Sequence, residues 1–165
     1  MGQLAKVLVQ RPTQYIAWKW KARHQEWAQA QLKDAASQAI WESLALVMAI
    51  ETWKDVMLPT GSRWYLLGDA LGVLQGATQF HSKDPAINKL FMELALIVVE
   101  AGREIHAEHL WSEKNNMADD LSRLHEGAKL PQQLWGVPRA KAKEPTWNII
   151  HTLQHAEVET RFQYF

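Results

Sequence analysis

The order of elements along the chain predicts an α/β fold, and three segments carry that expectation. Residues 37–53 read as a helix that is apolar nearly all round, which is the mark of a buried helix. Residues 63–67 read as a short, continuously apolar strand of the kind found inside a covered sheet. Residues 84–109 read as a capped amphipathic helix followed by an alternating strand. Strands alternating with helices of this length point to helices packed on a sheet.

Taken in order, Leu4 to Val9 is a short apolar run, and Arg11-Pro12 punctuates it. Tyr15 to Trp20 then alternates aromatic and β-branched residues with smaller ones, so two antiparallel strands joined by a turn are predicted, with a weakly signalled third around Arg23 to Trp27. Ser37 can cap the long helix that runs to Trp53. Glu42 is expected in its first turn, above Leu46, Ala49 and Trp53, and is either a dipole partner of the helix amino terminus or a site carboxylate on a rigid element. For Glu42 alone the dipole role is the stronger of the two.

The turn Pro59 to Ser62 leads into the strand Arg63 to Leu67, which ends at Gly68-Asp69. An aspartate just past the carboxyl end of a strand lies where open α/β sheets place ligand sites. It is also a good cap for a helix over Ala70 to Ala77, and the two roles are compatible. Asp84-Pro85 pairs a cap with a first-turn proline. Ile87, Leu90, Phe91, Leu94, Ala95 and Val98 then mark one helical face, which Gly102 ends. From Arg103 to His109, Ile105 and Ala107 fall on one side of a half-buried strand, with Glu104, His106 and Glu108 on the other.

That strand delivers the chain to HLWSEKNNMADDLSR, residues 109–123, the most distinctive stretch of the sequence. Asp119 and Asp120 could be no more than first-turn helix acids. Beyond Leu124, Pro131, Pro138 and Pro145 interrupt the chain, and Arg139, Lys141 and Lys143 add a small basic cluster. Residues 125–165 are therefore expected to be a linker or arm following a domain of residues 1–124.

Composition bounds what such a domain can do. The chain has 165 residues, 47% hydrophobic and 22% charged, which suits one globular domain with a core. It has no cysteine, which excludes disulfides and thiolate metal sites. No apolar run reaches the ~20 residues of a membrane span. The start shows no charged region leading into an apolar core, so no membrane partner and an intracellular location are expected. Formal net charge is zero, so bulk charge lends no support to nucleic-acid binding. Nine tryptophans are available for core or for stacking surface.

Jointly, WESLALVMAIETW, LLGDA, SKDPAINKLFMELAL and HLWSEKNNMADDLSR resemble segments of the ribonuclease H domain of retroelement reverse transcriptases, especially those of long-terminal-repeat retrotransposons. The likeness covers roughly residues 2–124. It implies an α/β fold with a mixed five-stranded sheet and helices on both faces. By the same resemblance Glu42, Asp69 and Asp119 are metal-binding and catalytic, His109 is a catalytic loop histidine, and Asn115 contacts substrate. The implied cofactor is a pair of Mg2+ (or Mn2+) ions, which can stabilise both the attacking and leaving oxygens of a phosphodiester. The implied partners are an RNA–DNA hybrid, read by backbone shape and 2′-hydroxyls, and a reverse transcriptase polymerase domain in the same polyprotein.

Two departures bear on activity. The family usually follows its strand-end aspartate with asparagine or serine, and here Ala70 follows Asp69. The family also has an aspartate in its first strand. The residues from Gly2 to Val9 resemble only the tail of that strand, so the matching acid would lie before Met1, and no acid occurs between Met1 and Trp20. Losing one of a set of groups that act together can abolish most of a rate, so hydrolysis is expected to be impaired. A non-catalytic nucleic-acid-binding or interaction module on the same fold is the alternative. An integrase-like nuclease fits less well, because its acids run aspartate, aspartate, glutamate.

Overall fold

The computed structural model describes residues 12–17, 19–28, 37–56 and 63–147. They form an α/β arrangement of five helices and a two-stranded parallel sheet. The helices are α1 (Ala22–Ala28), α2 (Gln38–Trp53), α3 (Leu71–Gln79), α4 (Pro85–Glu100) and α5 (Asn116–Ser122), and the strands are β1 (Arg63–Gly68) and β2 (Glu104–His109). Parallel neighbours need a crossover connection, and here α3 and α4 supply it. The register sets Arg63 beside Glu104 and Gly68 beside His109.

The five-stranded sheet expected above is not what the described residues form, since two strands are present among them. The strand expected at Leu4 to Val9 lies outside the described residues. Where a strand was expected over Tyr15 to Trp20, the described residues hold one isolated bridge, Tyr15 to Arg139. Its hydrogen bonds run to the far end of the chain: Tyr15 N–H donates to the Pro138 carbonyl at 3.2 Å, and Ala140 N–H to the Tyr15 carbonyl at 2.8 Å. The weakly signalled strand at Arg23 to Trp27 is instead the helix α1. Its sequence, ARHQEWA, is rich in good helix formers, and that local preference prevails.

The core lies where α2, α3 and α4 meet the inner face of the strands. Leu44, Val47 and Met48 of α2 pack with Leu90, Phe91, Leu94 and Val98 of α4, joined by Trp64 of β1, Val73 and Ala77 of α3, and Trp147. The capped start of α4 forms as its sequence predicts, with the Asp84 carboxylate accepting from the Ala86 and Ile87 N–H groups at 2.8 and 3.0 Å. Ser37 stands at the start of α2 but makes no side-chain capping bond to it.

β1 is not the fully buried strand that its apolar run suggested. Trp64 is buried and Leu66 half-buried, whereas Tyr65 and Leu67 on the other face are 64% and 61% exposed. Residues 138–147, expected as linker or arm, lie against the domain. Lys143 N–H donates to Thr52 Oγ1 at 2.9 Å, Glu144 binds Arg23 and His24, and Trp147 is 3% exposed.

Candidate functional site at the carboxyl end of the strand pair

Asp69 is the first residue after β1, and the parallel register brings it beside the end of β2. Leu110 N–H donates to the Gly68 carbonyl at 2.7 Å, which extends the ladder by one bond and fixes how the chain leaves β2. From there the short 3-10 turn Ser112–Lys114 reverses the chain into α5. Two side chains, one at the end of β2 and one in this loop, reach Asp69. The Asn115 amide donates to Asp69 Oδ1 at 3.0 Å. His109 Nε2 lies 3.2 Å from the Asp69 main-chain carbonyl, which accepts from the ring N–H.

Three of the residues selected from the sequence thus share one corner, although 40 and 46 positions separate His109 and Asn115 from Asp69. Asp69 and Asn115 are half-buried and His109 is exposed. The capping role considered for Asp69 is not taken up: Ala70 occupies the cap position of α3, with no side-chain bond, and the Asp69 carboxylate turns to Asn115.

The other two acids have partners of their own. Glu42 sits in the second turn of α2, and its Oε1 accepts from Gln38 Nε2 at 2.9 Å. Glu42 is therefore not in the first turn where the sequence placed it, and the helix dipole, which acts chiefly through that turn, does not account for it. Asp119 lies in the first turn of α5, is largely exposed, and pairs with Arg123 at 3.4 Å. Among the described residues no three histidine or carboxylate side chains gather into a group able to hold a metal ion. Glu42, Asp69 and Asp119 are each bonded to a separate side chain in this arrangement.

One further residue of the corner escaped notice in the sequence. Trp111 follows His109 by two positions, and their rings meet edge to face with centroids 5.1 Å apart. The signal was an indole set among polar residues inside a stretch already singled out. Among the described residues no helix is long and apolar enough to cross a membrane. Comparisons with protein-family models, curated proteins and solved structures find no match to this chain.

Proposed function

We propose that this chain is a ribonuclease H-type domain of a retroelement reverse transcriptase polyprotein that binds RNA–DNA hybrids and hydrolyses their RNA strand poorly. On this proposal its sheet is the five-stranded version of the α/β fold, and its neighbour in the polyprotein is a polymerase domain. One observation carries most of the weight. The strand-end aspartate and the histidine and asparagine of the retroelement-like segment come from separate parts of the sequence, yet Asn115 and His109 both bond to Asp69. The parallel pairing of β1 with β2 through a helical crossover supports it further.

Poor hydrolysis is proposed because Glu42, Asp69 and Asp119 each bond to a different neighbouring side chain, Gln38, Asn115 and Arg123 in turn. Mg2+ or Mn2+ would have to draw the carboxylates away from these partners. The same engagement favours a second reading, a hybrid-binding module without cleavage.

An end-labelled RNA–DNA hybrid, incubated with Mg2+ or Mn2+, separates the two. The chain alone is expected to bind hybrid and cut it weakly. A form extended upstream by an Asp-Ala-Ser-Pro strand start is expected to cut efficiently, and Asp119→Asn in that form to stop it. Binding without cleavage by either form would favour the non-catalytic module. Absence of hybrid binding by both would sink the proposal.

A further inference from the structure

The exposed face of Trp111 has no role in the bonds that build the Asp69 corner. Its main-chain carbonyl accepts from Lys114 N–H at 2.7 Å, which closes the turn over Ser112–Lys114. The His109 ring braces the indole at one edge, with the two planes 76° apart. Backbone and brace are both fixed, yet 68% of Trp111 is exposed. Leaving so large an apolar ring in water forgoes the stabilisation its burial would bring.

The chemistry of the loop indicates what would cover that face. Lys114 and Asn115 follow in the chain, and Asn115 is tied to Asp69. A protein interface buries several apolar anchors together in a desolvated centre. A lone aromatic in a polar loop, here with one acid, Glu113, offset by one cation, Lys114, is instead how proteins stack a nucleotide, because every base offers a π-face and stacking tolerates sequence.

We infer that Trp111 is a stacking platform for one nucleotide of the bound nucleic acid, held by His109 at the edge of the Asp69 corner. The inference rests on the hybrid-binding reading proposed above and adds to it a residue that sets affinity without contributing to chemistry. Trp111 is a binding and positioning residue, and its aromatic face is the property that matters.

The test is fluorescence anisotropy of a short labelled RNA–DNA hybrid, without divalent metal, titrated with the full chain and its variants. Trp111→Ala is expected to weaken binding by roughly tenfold or more, the scale of one lost stacking contact. Trp111→Phe, which keeps a π-face, should stay within about threefold of the parent. Trp135 is 69% exposed in a different loop, so Trp135→Ala serves as the control and should leave affinity unchanged.

Equal binding by Trp111→Ala and the parent would overturn the inference and leave the indole face to a protein contact. Equal loss in Trp111→Phe and Trp111→Ala would overturn it too, because a stacking role survives that exchange. If the parent itself failed to bind hybrid, the hybrid-binding reading would fall first and the inference with it. Far-ultraviolet circular dichroism of each variant guards against a folding defect read as lost affinity.

Discussion

At the scale of single residues, the bond between Asn115 and Asp69 decides how the corner is held. It joins an amide to a half-buried carboxylate across two loops, and hydrogen bonds to charged groups are worth more than neutral ones. Asn115 occupies the cap position of α5 but makes no side-chain cap bond, so its removal costs the helix no cap. Asn115→Ala is therefore expected to lose about 1–2 kcal/mol. For a chain of this size that lowers Tm by roughly 2–4 °C per kcal/mol. A double-mutant cycle checks the attribution: in an Asp69→Ala background the same substitution should cost little. Equal losses in both backgrounds would mean the bond is not the source. The residues of this corner were legible because strand-end aspartate, histidine and asparagine are separate local signals. The partners of Glu42 and Asp119 were not. Gln38 lies four positions before Glu42 on α2, and Arg123 four positions after Asp119 at the end of α5, a spacing at which side chains meet readily, but nothing in spacing alone says that a carboxylate will turn along its helix instead of toward a shared site.

Among the elements, α3 is held to α4 by a close approach that only glycine permits. A Cβ at Gly76 would stand 2.3 Å from Phe91 Cε2 and 3.0 Å from the His81 carbonyl oxygen. Phe91 is 1% exposed, and rings in a close-packed core have little room to retreat. Alanine gains at most about 1 kcal/mol of helix propensity over glycine, while overpacking typically costs about 1–3 kcal/mol. The steric term wins, and Gly76→Ala should lower Tm. Gly72, in the first turn of the same helix, has nothing within 4 Å of the added atom. Gly72→Ala should leave Tm unchanged or raise it, so paired melting curves of opposite sign are the expected outcome. A lower Tm for both would point to the α3 backbone instead of the Phe91 contact. Helices α2 and α4 could be read from sequence because apolar spacing and the Asp84-Pro85 start are local. The alternating run after Pro12 forms no strand among the described residues, because alternation alone does not say which partner a segment will bond to. The described partner of Tyr15 is Arg139, 124 positions on.

For the molecule as a whole, the unforeseen feature is that residues 138–147 strap the start of the described chain to its core. Two prolines and a basic cluster gave this segment the texture of a linker, and the contacts that order it are long-range. Glu144 is the pivot of the strap. It binds Arg23, and it also accepts from His24 Nε2 at 3.0 Å. His24 is buried, and its Nδ1 accepts from the Lys21 N–H at 2.8 Å, which leaves the ring proton on Nε2 to donate to Glu144. Burial pushes the Glu144 carboxyl up, but hydrogen bonds from Arg23 and His24 and the attraction of the Arg23 charge outweigh it and hold the group below its ordinary value of 4.5. A depressed folded-state value means the unfolded chain takes up the proton first as pH falls. The stability Glu144 contributes is thus fully present above about 4.5 and is lost as pH drops through its lower folded value. Glu144→Gln keeps an acceptor oxygen but no charge, so it should be less stable than the parent at neutral pH, and the two should converge in acid. Melting both proteins from neutral pH downward tests this directly. A gap that stays constant through the carboxylate range would show that Glu144 holds the strap by shape and neutral hydrogen bonding, with its charge contributing nothing.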